Sequence, residues 1–111
     1  MRGCQKTRLE DAVLGHFHKI HRAKGFPLSE AVRVLERHVT PCGRYVEIES
    51  DIHVQMDDGY LDLEGSYIEM KGLPNGIMAV VMVNRQRVTM LEFTTYGGDS
   101  WDGNEDDWAI V

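Results

Sequence analysis

The sequence predicts an α+β fold in which two N-terminal helices pack on one face of a curved antiparallel sheet, a meander of four or five strands. Two patterns along the chain support this prediction. Apolar residues recur at helical spacing over residues 7–40, and over residues 44–111 they follow the two-residue period of strands. A chain of 111 residues is long enough for one buried core, so we expect a single domain over residues 1–111.

The first helix is expected to begin at Thr7, because Thr7-Arg-Leu-Glu10 is a capping-box pattern. Gly25 is well placed to end it. Gly15 lies inside the helix and costs about 1 kcal/mol relative to alanine, so we expect it to mark close packing against another element. The buried stripe of this helix is predicted to consist of Leu9, Val13, Phe17 and Ile20.

A second helix is predicted from Leu28 or Ser29 to Val39, after a short Gly-Phe-Pro connection. Pro41 cannot continue helical hydrogen bonding and Gly43 allows a reversal, so the helix should stop there. Its buried stripe is predicted to be Leu28, Ala31, Val32, Leu35 and Val39.

The sheet is predicted to begin after residue 44 with a strand whose even-numbered residues face the core. Asp57-Asp58-Gly59 predicts a hairpin after that strand. The parity of the apolar residues then changes around Gly65, which predicts a bulge or a break, and residues 72–76 predict a second turn.

The central hairpin is the clearest prediction. Ile77–Val83 is apolar at both parities, as in an interior strand, and the turn Asn84–Arg87 joins it to a strand over Val88–Tyr96. Trp108–Val111 is expected to add a short final strand. Two helices can cover only one face of the sheet, so either the sheet curls over its own second face or another copy of the chain covers it. We expect a homodimer.

The charge is distributed unevenly along the chain. The net charge is −6, with +5 in residues 1–44 and −11 in residues 45–111. The acidic half should repel nucleic acid and attract a basic protein partner, although the two halves can equally attract each other. The longest apolar run has seven residues, and no signal-peptide stretch follows the N-terminal charges, so we expect no membrane span and a cytoplasmic location.

The acidic loop is the first candidate site. Residues 99–107 contain five acids and lead into the second of two tryptophans, a residue type enriched at binding hot spots. If this surface binds a basic partner, Trp101 should be exposed or half-exposed; alternatively, one or both rings fold back over the sheet edge. The predicted partner-binding residues are Asp99, Trp101, Asp102, Glu105, Asp106, Asp107 and Trp108.

An apolar pocket is the alternative site. It would lie between the helices and the sheet or between subunits, and would make the protein a small-molecule binding protein or a small enzyme. We find no recognisable catalytic set and expect no cofactor. The predicted lining residues are Tyr60, Tyr67, Met78, Met82 and Tyr96.

Histidines and cysteines give weaker signals. His18 and His21 are three residues apart in the first helix and are weak metal-ligand candidates, but their positions favour a solvated basic face. Cys4 and Cys42 match no zinc-binding spacing and are expected to be free thiols without an assigned role.

Residues 91–111 contain LEFTTYGGDSW, followed by acids and a hydrophobic end. This stretch resembles the ends of small uncharacterised bacterial proteins, some of which are immunity or accessory proteins. The resemblance implies a non-enzymatic binding protein and assigns no catalytic residue. Together with the acidic loop, it favours a protein of the immunity type that presents an acidic, tryptophan-containing surface to a basic partner.

Overall fold

The computed structural model describes residues 5–111, so the prediction for Cys4 lies outside the described residues. It confirms an α+β fold with an N-terminal helix and an antiparallel sheet, but the sheet has seven strands instead of four or five. The elements are α1 (Arg8–Ile20), β1 (Arg33–Thr40), β2 (Gly43–Glu49), β3 (Gly59–Asp62), β4 (Ile68–Met70), β5 (Leu73–Asn84), β6 (Arg87–Thr95) and β7 (Trp108–Ile110), with short 3₁₀ turns at Arg22–Lys24, Ser29–Ala31 and Tyr96–Gly98.

Helix α1 begins with the predicted capping box. The Thr7 hydroxyl accepts the backbone N–H of Glu10 at 3.1 Å, and the Glu10 carboxylate accepts the backbone N–H of Thr7 at 3.0 Å. The helix ends at Ile20, and the chain turns away at Gly25, which has a left-handed φ of +77°. The buried apolar side chains of α1 are Leu9, Val13, Leu14 and Phe17.

The predicted second helix is wrong. After the turn at Ser29–Ala31, residues Arg33–Thr40 form strand β1, which pairs with β2 through a tight turn at Pro41 and Cys42. Leu28 and Val39, the ends of the predicted apolar stripe, are 55% and 66% exposed. A short isolated helix is marginal in water, so the hydrogen bonds to β2 decide the conformation of this segment.

The sheet is not a simple meander. Its strand order is β1-β2-β6-β5-β4-β7, so β2 lies beside β6 and β7 lies beside β4. Strands β3 and β4 pair with successive parts of the same edge of β5. The hairpin predicted at Asp57–Gly59 is therefore wrong, because β3 pairs with β5 and not with β2. The break predicted around Gly65 does occur, between β3 and β4.

The central hairpin is confirmed. Strands β5 and β6 pair from Ile77 and Thr95 to Asn84 and Arg87. The two turn residues, Arg85 and Gln86, have φ values of +53° and +63°. Positive φ at both central residues is typical of type I′ turns, whose twist matches that of the paired strands.

The two faces of the sheet differ in burial. The inner face packs with α1 into the hydrophobic core, and it includes Val46, Ile48, Ile77, Ala79, Val81, Leu91 and Phe93. The outer face carries the alternate residues of the same strands. On it Met82 is 36% exposed, while Met78, Val80 and Met90 are half-buried. Helix α1 thus covers one face only. None of the helices in residues 5–111 is long and apolar enough to cross a bilayer.

Candidate functional site

The acidic loop, residues 99–107, folds back against the inner face of the sheet. The Trp101 ring is only 5% exposed and packs edge-to-face on Phe93, with ring centroids 6.2 Å apart. Its Nε1–H donates to the backbone oxygen of Asn104 at 2.9 Å, so burial leaves its polar atom satisfied. Of the two alternatives for Trp101, the ring that folds back on the sheet is the one observed, and the exposure expected of a partner-binding residue is not. The ring anchors the loop and is not available to a partner.

Arg44 lies beneath the loop, between the two aromatic rings. Its guanidinium carbon is 5.2 Å from the centroid of Phe93 and 5.2 Å from that of Trp101. The guanidinium donates to the Glu105 carboxylate at 2.7 Å, although Arg44 is only 6% exposed. Cation–π contacts and a charge-assisted hydrogen bond thus hold Arg44 in place. Glu105, predicted as a partner-binding residue, is occupied by this internal contact.

Glu10 completes a buried ionic cluster. Its carboxylate accepts hydrogen bonds from Arg37 at 2.6 and 2.7 Å and lies 3.3 Å from Arg44. Burial by itself raises the pKa of Glu10, but hydrogen bonds from Arg37 and from the Thr7 backbone, with the charges of Arg37 and Arg44, bring the pKa below its ordinary value. We call Glu10, Arg37, Arg44 and Glu105 the Arg44 network.

Further contacts fix the backbone of the loop. The N–H of Trp101 donates to the carbonyl oxygen of Pro41 at 3.1 Å, and the N–H of Lys71 donates to that of Asp107 at 3.1 Å. The Thr95 hydroxyl donates to the Asp99 carbonyl oxygen at 2.6 Å. The Asp99 carboxylate accepts a hydrogen bond from Asn75 at 3.2 Å. The loop is thus tied to β6 and to the turns that precede β2 and β5.

Three acids of the loop remain at the surface: Asp102, Asp106 and Asp107. Two of them bond to Asn104: Asp102 accepts its backbone N–H at 2.9 Å and Asp106 accepts its side-chain amide at 3.0 Å. Within residues 5–111, no lysine or arginine forms an ion pair with any of the three. The carboxylates of Asp102 and Asp106 are therefore held in position, and none of the three is within ion-pair distance of a lysine or arginine among residues 5–111.

Trp108 lies beside these acids at the start of β7 and is half-buried. It lines an open depression of about 700 Å³ together with Arg8, Asp11, Glu105 and Asp107. We call Asp102, Asp106, Asp107 and the accessible part of Trp108 the acidic surface. Of the seven residues predicted to bind a partner, Asp102, Asp106 and Asp107 are exposed and Trp108 is half-buried.

Three of the five residues predicted to line an apolar pocket meet at a cavity outside the predicted location. Tyr67, Met78 and Tyr96 line an open cavity of about 310 Å³ on the outer side of the sheet, next to the break between β3 and β4. The Tyr67 and Tyr96 rings meet edge-to-face at 6.5 Å. The charge of Glu69 and its hydrogen bond to the phenol raise the pKa of Tyr67. Tyr60 and Met82 do not line this cavity; they are paired further along the outer face.

His18 in α1 and His21, the residue that follows the helix, contact backbone carbonyl groups. His18 Nδ1 and His21 Nε2 each lie 2.8 Å from a carbonyl oxygen, of Phe26 and of Asp62 respectively. The interpretation of a solvated face is wrong for His21, which is 4% exposed and stacks on Phe17. The Cys42 thiol lies in the β1–β2 turn, 3.9 Å from the carbonyl oxygen of Gly98.

The Arg44 network was not identified from the sequence. The capping-box pattern pointed to Glu10, but as a helix cap and not as an ion-pair partner. Arg44 and Glu105 are 61 residues apart, and no local pattern links residues at that separation. The signal that was available is the excess of basic residues in the first 44 positions and of acids in the rest.

In comparisons with protein-family models, with curated proteins and with solved structures, no match to this chain reaches significance. The functional argument therefore depends on the geometry of the described residues.

Proposed function

We propose that the protein is a non-enzymatic binding protein, of the immunity type suggested by its C-terminal sequence, that binds a basic protein partner through the acidic surface. The observation that carries this proposal is that Asp102, Asp106 and Asp107 are exposed and form no ion pair among residues 5–111, while hydrogen bonds to Asn104 hold two of them in position. Charges that are already held in position lose little conformational entropy on binding and steer a basic partner toward the surface. The proposed location is the cytoplasm.

Trp108 supplies the apolar part of the same surface. A half-buried tryptophan next to fixed charges has the composition of a binding hot spot, in which an aromatic ring is surrounded by polar groups. The buried Trp101 serves the site indirectly, because it fixes the loop backbone from below.

The test is calorimetric titration with an oligoarginine peptide, a probe for a basic protein surface, at low and at high salt. We expect binding that weakens as salt rises, because exposed charges are screened. Combined Asp102→Asn, Asp106→Asn and Asp107→Asn substitutions should abolish it. These changes preserve side-chain shape, and asparagine also tolerates the positive φ of +41° at position 107.

The matched control removes three acids on the outer face of the sheet, away from the loop: Glu36→Gln, Glu47→Gln and Glu92→Gln. Both variants have the same net charge. If the control weakens peptide binding as much as the loop variant does, attraction to total charge explains the binding and the proposed site is wrong. A wild-type protein that does not bind the peptide at low salt would also contradict the proposal.

A small-molecule binding function is the second candidate, and the cavity lined by Tyr67, Met78 and Tyr96 favours it. Its volume of about 310 Å³ lies at the lower end of the range of ligand sites. An NMR screen with aromatic fragments should then shift the resonances of these three residues together. Shifts scattered over the surface would argue against this function.

We also propose that the protein forms a homodimer through the outer face of the sheet. Met82 is 36% exposed, and Met78, Val80 and Met90 beside it are half-buried. The outer face of a second copy of the chain, packed against this one, would remove the apolar stripe from water. This dimer would leave the acidic surface free, because the loop packs on the inner side of the sheet.

A further inference from the structure

Three potential metal ligands meet on the outer face of the sheet, near the edge strand. Glu36 and His38 are two residues apart on β1, and Glu36 is paired with Glu47 on β2. Because side chains alternate along a strand and paired residues share a face, all three project from the same side. The acidic surface and the Arg44 network are on the other side of the sheet.

The distances fit a single cation. His38 Nε2 lies 2.6 Å from a Glu47 carboxylate oxygen and 3.8 Å from one of Glu36, and the three ligand atoms are all within 4.8 Å of one another. Ligands bound to zinc at about 2.0–2.2 Å are roughly 3.4 Å apart when the geometry is tetrahedral. The observed separations bracket this value, so small rotations of exposed side chains would complete the site.

Tyr45 orients the imidazole. The His38 and Tyr45 rings stack with centroids 4.6 Å apart and planes 16° apart. Tyr45 is the cross-strand neighbour of His38 on β2 and is itself half-buried. A ring that is held in its binding orientation loses less freedom when a metal binds.

The charges of the cluster also favour a cation. Within residues 5–111, His38 Nε2 is the only basic side-chain nitrogen within 4 Å of the Glu36 and Glu47 carboxylates. A protonated imidazole neutralises only one of two carboxylates, whereas a divalent cation bound by a neutral imidazole neutralises both. Glu92, the neighbour of Tyr45 on β6, adds another negative charge to the same row of the sheet.

We propose that Glu36, His38 and Glu47 form a binding site for a divalent transition-metal ion of the zinc type. The cation would lie between His38 Nε2 and the Glu47 carboxylate oxygen, which are 2.6 Å apart. One nitrogen and two carboxylate ligands suit zinc better than magnesium or calcium, which prefer oxygen ligands alone. Three protein ligands leave a fourth position open to water.

The test is calorimetric titration with zinc chloride, combined with NMR of the histidine ring nitrogens in the wild-type protein. We expect one binding site and a zinc-dependent shift at His38 Nε2. His38→Ala should weaken zinc binding by at least about 10-fold. Removing a residue that only supports a metal ligand already weakens binding by about 10-fold to 100-fold. His16→Ala, which removes a histidine of α1, is the matched control and should bind as the wild type does.

Two results would overturn the proposal. The first is zinc affinity in His38→Ala equal to that of the wild type. The second, which needs no variant, is a zinc-dependent shift at the other histidine rings while His38 is unchanged. Replacing zinc with magnesium should give no binding, and magnesium binding of equal strength would show that the carboxylates attract any divalent ion.

Discussion

Glu10 carries a negative charge at a position with no solvent exposure. Two guanidinium groups surround it: Arg37 forms two hydrogen bonds to its carboxylate, and Arg44 lies 3.3 Å away. Removing one partner from a buried ionic cluster leaves the other charges uncompensated. The free energy lost in this way is larger than the net stabilisation that the ion pair contributes. Glu10 therefore belongs to the structural support of the acidic surface.

Glu10→Gln should lower the free energy of unfolding by about 3 kcal/mol at neutral pH. The reason is that the buried Arg44 guanidinium stays charged but loses one of its two neighbouring carboxylates. Urea denaturation monitored by circular dichroism measures the change. Glu30→Gln, at an exposed position, is the matched control and should change stability by less than about 0.5 kcal/mol.

The same residue predicts an acid dependence. The pKa of Glu10 is lower in the folded protein than the ordinary value of 4.5, so its stabilising contribution is complete above that value and is lost as pH falls through the folded-state pKa. Glu10→Gln should consequently show a shallower loss of stability below about pH 4.5 than the wild type. Equal slopes for the two proteins would contradict this role.

At the scale of single elements, sequence patterns predicted the structure correctly where the stabilising contacts are between residues close in the chain. The capping box of α1 and the β5–β6 hairpin are specified by residues within a few positions of one another. Strand β1 is different, because its apolar residues fit a helical stripe and its strand state depends on pairing with β2. Residues 36 and 38 are on different faces of a helix but on the same face of a strand, so this error also concealed the proposed metal site.

Helix α1 offers a direct test of its own packing. Gly15 was expected to lie against another element, but it is exposed and no heavy atom lies within 4 Å of where its Cβ would be. Gly15→Ala should therefore stabilise the protein by about 1 kcal/mol through helix propensity alone. The increase is measured by urea denaturation.

Gly43 is the contrasting position. A Cβ there would clash with the carbonyl oxygen of Phe93, because β2 and β6 approach closely at the β1–β2 turn. Gly43→Ala should destabilise the protein. If both alanine variants change stability in the same direction, the environment assigned to one of the glycines is wrong.

At the scale of the whole molecule, ion pairs within the chain neutralise part of the charge difference between its two halves. Arg44 from the basic half pairs with Glu105, and Arg33 pairs with Glu49 and Asp51. The sequence indicated that the halves could attract each other, but which charges pair depends on contacts between distant residues. The proposed partner-binding site uses carboxylates of the loop that form no ion pair among residues 5–111, and the proposed metal site uses two carboxylates on the outer face that lie beside His38.

The proposed homodimer can be tested with Met82→Arg, which places a charge in the centre of the apolar stripe on the outer face. We expect the wild type to have the mass of a dimer by light scattering at low and high salt, and the variant to have that of a monomer. Ala23→Arg, at an exposed position in the 3₁₀ turn after α1, is the matched control and should stay dimeric. A monomeric wild type would contradict the dimer.

The Arg44 network also implies an order in which the contacts of the fold can form. Glu105 follows Arg44 by 61 residues, so during synthesis Arg44 leaves the ribosome long before its carboxylate partner and the Trp101 ring exist. Until residues 101–105 emerge, the nascent chain has a guanidinium destined for the interior with only part of its final surroundings. The β1–β2 hairpin needs only residues close in the chain, whereas the Arg44 network cannot be complete before residue 105 has been made.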